Sequence, residues 1–326
     1  MRKLSKIIQK NESGIKYPED SAVVLQCLVG IELELENVDA STIMQYTGEA
    51  PLWNTVGDGS LRNNGIELVS VPIAGVNIPN ALESLDTILK QGAKTAEISE
   101  RCSMHVHIDM RDVTVRQLLN FLIVYTIFEE EFFKYVGYYR KDNPYCVPLV
   151  DAYNLQELME KLTGTDRQVE RLINQWPKYS ALNLKSLLKL GTVEIRLHPG
   201  TTDTKEILHW VNILLSIKKY ILDNPRRNTQ SIIDSVCADP EGLISAVFNG
   251  IFLDRITSDI TDSMLDGARI AQQVYRYREL QTDAPVMQEL GTRPHARARV
   301  GRPARAREPQ QAPYEEWLSL HNITTS

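Results

Sequence analysis

The sequence predicts an α+β protein: a curved, mostly antiparallel sheet with helices on its apolar face, a helical C-terminal part and a flexible tail. Three observations carry this. Short alternating runs separated by Gly, Asn and Pro dominate the first half of the chain, the pattern of half-buried strands. Apolar residues at helical spacing dominate from about residue 204 to 280. The composition shifts near residue 283, and over 291–313 large apolar side chains almost disappear.

In chain order, strands are expected over 22–36, 65–72 and 102–109. Between the last two, "NIPNALESLDTILKQGAK" reads as a helix with Asn80 as N-cap and Gly92 as stop. A long helix follows over about 114–136, then shorter ones over 155–163 and 166–176, with Pro177 closing the second. Strand signals return in "SALNLKSLLKLGTVEIRLH", and Pro199 should end that run with His198 at the mouth of the site. Helices then cover "TKEILHWVNILLSIKKYILD", "TQSIIDSVCA", "EGLISAVFNG" and "LDGARIAQQVYRYREL". Residues 1–282 are expected to form one domain. Residues 283–326, with "GTRPHARARVGRPARAREPQQAP", read as a flexible Arg- and Pro-rich tail. That tail is either a solvated linker or an electrostatic contact for nucleic acid or an acidic surface.

A chain of 326 residues with 43% apolar and 24% charged residues has the composition of a soluble globular protein. Its net charge of −6 gives no general case for binding nucleic acid or an anionic membrane. "LLNFLIVYTIF" is too short to span a bilayer and reads as a buried helix. Cys27, Cys102, Cys146 and Cys237 lack CxxC spacing, so reduced thiols in a cytoplasmic protein are expected. Neither a GxxxxGK[ST] loop nor a GxGxxG placed after a strand is present, which gives no support to a P-loop or Rossmann site.

The chemistry lies in the strands. In "LVGIELELEN", Glu32, Glu34 and Glu36 alternate with aliphatics, so a strand puts all three carboxylates on one face, neighbours roughly 7 Å apart. Each adjacent pair then costs on the order of 2 kcal/mol at an effective dielectric near 20, a cost that solvent or a cation would remove. Glu36, at the strand end, reads as solvated. His105, His107 and Asp109 alternate in the same way in "MHVHIDM", as do Glu194, Arg196 and His198 in "VEIRLH", and Glu67 stands between Ile66 and Leu68. If these strands share a sheet, one face gathers Glu32, Glu34, Glu67, His105, His107, Glu194 and Arg196. Carboxylates with one or two imidazoles suit Mg²⁺ or Mn²⁺. Carboxylates at i and i+2 could serve two neighbouring ions against a triphosphate.

"GIELE", "DGSLRNNGIELVSVPI", "CSMHVHID" and "GTVEIRLHPGT", in this order, resemble the amidoligases of the glutamine-synthetase-like superfamily, carboxylate–amine ligases often found in phage and bacterial gene clusters. The resemblance covers roughly residues 22–220. It implies a sheet of glutamine-synthetase-like catalytic type and an ATP- and Mg²⁺-dependent ligase that forms an amide through an acyl phosphate. By resemblance, Glu34 and Glu67 hold the metal near the acceptor carboxylate, and Glu32, His105 and Glu194 hold the metal on the ATP phosphates. His107 contacts a phosphate, and Arg196 stabilises the transferring phosphoryl group or orients the carboxylate. The family carries Asp58 and Ser60 into the site, with Asp58 the candidate for binding or deprotonating the amine; as local structure alone, Asp58-Gly59 and Asn64-Gly65 are turn signals. Lys178 stands where the family tends to have Arg. Arg62, Arg171 and Lys178 are all candidates for a further phosphate-binding cation.

The implied partners are ATP and an unidentified carboxylate and amine, small or macromolecular, with no membrane; a homo-oligomer is open, and nucleic acid enters only through the Arg-rich tail. A phage origin would place the protein in host cytoplasm. Two other readings compete. A metal-dependent hydrolase would need more ligands than His198, His209, His295 and His321 supply. A non-catalytic binding protein would not need the full set of Glu, His and Arg.

Overall fold

A computed structural model describes residues 3–14, 22–38, 41–43, 52–151, 166–251 and 258–282. The expected helix over 155–163 and the tail lie outside them. Strands β1 (Leu28–Leu35), β2 (Trp53–Gly57), β3 (Ile66–Ser70), β4 (Ile73–Ala74), β5 (Ser103–Asp109), β6 (Leu182–Asn183) and β7 (Thr192–Pro199) form one sheet. The order is β2-β3-β1-β5-β7-β6, with β4 also on β1, and every pairing is antiparallel.

The helices are α1 (Leu4–Ile7), α2 (Ile78–Gly92), α3 (Val115–Val136), α4 (Asp166–Gln175), α5 (Ser186–Leu190), α6 (Thr204–Asp223), α7 (Thr229–Ala238), α8 (Pro240–Phe248) and α9 (Ile260–Thr282). Local chemistry sets several of their starts. Thr114 and Gln117 form a reciprocal capping box at α3, while Asp203, Asn228 and Asp239 accept N–H groups at the starts of α6, α7 and α8.

Ile31, Leu33, Leu68, Val106, Ile108, Val193 and Ile195 join α3 and α6 in a single core. At its centre the Phe132 ring meets Trp210 edge-on at 5.7 Å and Tyr135 stacks on Trp210, geometries favoured by the ring quadrupole. The "LLNFLIVYTIF" stretch is buried here within α3, and no helix among the described residues is long and apolar enough to cross a membrane. All four cysteines are free.

Five local expectations need correction. Residues 22–27 do not extend β1, because the Asn212 side chain on α6 takes their backbone groups: Val24 N–H donates to its Oδ1 at 2.9 Å, and its Nδ2 donates to Ala22 O. Helix α2 begins before Asn80, with Asn77 at the cap position, because Pro79 presets the backbone of its first turn. The 180–198 run is broken by α5, which Gly191 ends in the left-handed region at φ 77. Strand β2 is an element that the alternating pattern does not predict. Its Trp53 is buried and donates to Ala81 O at 2.8 Å.

The fifth correction concerns β7. Val106 faces Ile195, yet Met104 faces His198, so Arg196 and Leu197 together span the one position of His105, a β-bulge. His198 therefore leaves the face of Glu194 and Arg196. It is fully buried, its ring 5.3 Å from Trp210, and does not stand at the mouth of the site.

Candidate active site

The register sets the site. Glu34 faces Glu67 across β1 and β3, Glu32 faces His105 across β1 and β5, and His107 faces Glu194 across β5 and β7. Cross-strand partners share a face, so residues from four strands meet on the side opposite the core. Gly30 faces His107, and a Cβ there would stand 3.2 Å from the His107 Cβ. The missing side chain keeps the space beside the imidazole open.

His105 Nδ1 lies 3.0 Å from Glu32 Oε2, 3.8 Å from Glu194 Oε1 and 3.9 Å from Glu67 Oε1, and its Nε2 lies 3.8 Å from Glu34 Oε1. His107 Nδ1 pairs with the Thr192 hydroxyl at 3.0 Å. Its Nε2 lies 3.1 Å from Glu32 Oε1, an ion-pair contact. Arg196 Nη1 donates to Glu194 Oε1, and Asn183 Nδ2 donates to Glu194 Oε2 at 2.8 Å. Ser103 N–H donates to Glu34 Oε2 at 2.7 Å.

These environments drive the carboxyls apart. Burial, with the charges of Glu32 and Glu34, pushes Glu67 up to about 10. Burial also raises Glu34, against the pull of His105. Burial would raise Glu32 as well, but His107 and His105 outweigh it and hold Glu32 well below the usual range. For Glu194 burial is outweighed by Arg196 and then the imidazoles, so it too is lowered. His107 is raised, Glu32 overcoming the effect of burial. Asp58 adds to the upward shift of Glu34 and Glu67.

The donor set fits divalent cations. Glu32, His107 and Glu194 each bring one ligand atom within 4.8 Å of the others, and so do Glu32, Glu67 and His105. Half-buried and buried carboxylates in the majority with two imidazoles suit Mg²⁺ or Mn²⁺. Glu32 and Glu194 group with His107, and Glu32 and Glu67 with His105; Glu34 stands beside His105, its Oε1 3.8 Å from Nε2 while its Oε2 accepts from Ser103 N–H.

The remaining candidates lie at the margins. Asp58 Oδ1 accepts Ser60 N–H at 2.8 Å, an Asx turn, and Ser60 O accepts from Arg101 at 2.8 Å. Arg62 is exposed, and its backbone N–H donates to Glu36. Glu36 is accordingly buried rather than solvated. Lys178 is exposed above the Tyr179 ring, and Arg171 is exposed on α4. Asn183, Thr192 and Ser103 were not singled out in the sequence. "LNL", "GTVEIR" and "CSMHVH" placed them beside the motifs, but only the register shows which carboxylate or imidazole each one holds. His198 and His209 both pack on the helix side, against Trp210 and Tyr135. Among the described residues this leaves two imidazoles at the carboxylate cluster.

A search of curated proteins gives no match. Residues 34–218, more than half of the chain, match the model of a family described as "Putative amidoligase enzyme", and the protein belongs to that family.

Proposed function

We propose that the protein is an ATP- and Mg²⁺- (or Mn²⁺-) dependent carboxylate–amine ligase of glutamine-synthetase-like type, forming an amide through an acyl phosphate. The observation that carries this is Glu32, shared by two adjacent candidate ligand sets on one face of an antiparallel sheet and flanked by the Arg196–Glu194 pair, half-buried at Arg196.

In the first step a carboxylate oxygen of the acceptor attacks the γ-phosphorus of ATP, and ADP leaves. In the second the amine attacks the acyl carbon, inorganic phosphate leaves, and the amine loses a proton. Such chemistry needs positioning and charge neutralisation more than covalent work by the protein. Divalent ions held by Glu32, Glu67, His105, His107 and Glu194 would neutralise triphosphate oxygens. Arg196 would meet charge on the transferring phosphoryl group, its fork oriented by Glu194 and by Tyr145 O, which accepts from Nε at 3.4 Å. Asp58 would take the amine proton; its charge raising Glu34 and Glu67 supports its nearness to the carboxylates. Ser60 and Arg62 flank it on the same loop, and Lys178 stands beside the Tyr145–Tyr179 pair next to Arg196.

The test is phosphate release from ATP and Mg²⁺ across pooled carboxylates, with and without hydroxylamine as a surrogate amine. Release that depends on one pool and yields a hydroxamate is expected. Cleavage of a pooled compound without ATP would overturn the ligase in favour of a hydrolase.

A further inference from the structure

Arg140 took no part in any motif, yet it is a fully buried arginine. It projects from the short 3₁₀ turn Tyr138–Asp142 that follows α3. Its guanidinium spends its donors on neutral acceptors: Nε on Leu197 O at 3.0 Å, Nη2 on Ser103 Oγ at 2.8 Å and on Arg196 O at 3.4 Å, and Nη1 on Glu100 O at 3.4 Å. Burying a guanidinium is expensive unless its donors are satisfied.

The acceptors are not scattered. Arg196 and Leu197 are the two residues of the β7 bulge, and a bulge leaves its extra residue outside the regular ladder. Ser103 opens β5, and its backbone N–H holds Glu34 Oε2. One planar fork therefore grips both carbonyls of the bulge and the residue that orients a site carboxylate. On the opposite edge of β7, Arg196 N–H donates to Ala181 O at 2.8 Å.

We propose that Arg140 is a positioning residue for the carboxylate site: it locks the β7 bulge that keeps Arg196 beside Glu194 while turning His198 into the core, and through Ser103 it fixes Glu34. The bulge decides which β7 side chains face the site. Without it, strand alternation would return His198 to the face of Glu194. The geometry needs a fork, because acceptors on two strands must be met at once. Lysine's single ammonium cannot meet them in that arrangement.

The proposal rests on the metal-binding reading only in its second half, so the experiment separates the two. In the full chain, Arg140→Lys and Arg140→Met are compared with the parent by amide hydrogen exchange and by Mn²⁺ titration followed by electron paramagnetic resonance. Exchange at Arg196, Leu197 and His198 should rise at least about tenfold, with 192–195 unchanged. Mn²⁺ affinity should fall about 10- to 100-fold, the usual effect of losing a group that orients a metal ligand. If Arg140→Met does not fold, Arg140→Lys is read alone. Unchanged exchange at 196–198 in folded Arg140→Lys overturns the proposal, as does a uniform rise across the sheet, which would make Arg140 a stabiliser only. A parent chain that takes up no Mn²⁺ overturns the metal reading, and exchange then decides the role of Arg140.

Discussion

Glu32 lies between two imidazoles, within 3.0 Å of His105 and 3.1 Å of His107, and is the one carboxylate common to both ligand sets. Glu32→Gln should therefore weaken Mn²⁺ uptake at both positions, whereas Glu67→Gln should affect one; the stoichiometry of a Mn²⁺ titration distinguishes these outcomes. Glu34→Gln should abolish turnover while thermal unfolding stays close to that of the parent, and an active, Mg²⁺-dependent variant would count against the assignment. Arg196→Lys keeps the charge but loses the fork, and should lower kcat by about 100- to 1000-fold. The proton held by Glu67 adds a stability signature. The unfolded chain gives up that proton near the ordinary value of 4.5, the folded chain only near about 10, so between these pH values the folded state binds more protons and stability falls as pH rises. His107, also raised, acts in the same direction above its ordinary 6.5. Glu32 and Glu194, both lowered, act oppositely but complete their contribution below neutrality. The metal-free protein should thus melt at lower temperature from about pH 6 to about pH 9. Glu67→Gln should remove much of that slope.

Secondary-structure elements bring these residues together through register and close approach. A shift of one residue of β1 against β5 would move Glu32 and Glu34 to the core side. The aliphatics at Ile31, Leu33, Val106 and Ile108 prevent this by filling the core face. On that face α9 packs against α3 at Gly267, where a Cβ would stand 2.7 Å from Ile127 Cα and from the carbonyl oxygens of Thr126 and Ile127. These are backbone atoms that cannot swing away. Gly267→Ala should destabilise by about 1–3 kcal/mol, the usual cost of overpacking, with Mn²⁺ affinity unchanged because α9 lies on the helix side. Denaturant unfolding and a Mn²⁺ titration of the same variant check both halves.

In the whole molecule, one sheet separates an aliphatic core from a charged face, and the two faces make opposite demands. The core supplies stability. The charged face gathers buried carboxylates that only protons or cations neutralise, so ligand binding and folding are linked. Mn²⁺ or Mg²⁺ at about 100 times its Kd should stabilise the fold by about 2.7 kcal/mol, and a chelator should reverse the gain. Metal-free melting curves, repeated after adding Mn²⁺ or Mg²⁺, measure it directly. No stabilisation by either ion would remove the metal reading of the face.

The sequence by itself determined which residues would share a strand face, because side-chain alternation is a local property of extended backbone. That is why Glu32 with Glu34, His105 with His107, and Glu194 with Arg196 were legible, as was the family, whose motifs lie along those strands. The long helices α3 and α6 were legible for the same reason, since their apolar period and caps are local. Only the tertiary structure decided what depends on pairing between distant segments. It set which carboxylate faces which imidazole, and it gave one oxygen of Glu34 to the Ser103 N–H. It buried Glu36 against the Arg62 backbone and gave residues 22–24 to Asn212. It placed the bulge that sends His198 to Trp210 and the guanidinium of Arg140 across it. Register, bulges and buried cross-links have no periodic signature along the chain, because each is fixed by the fit between segments far apart in sequence.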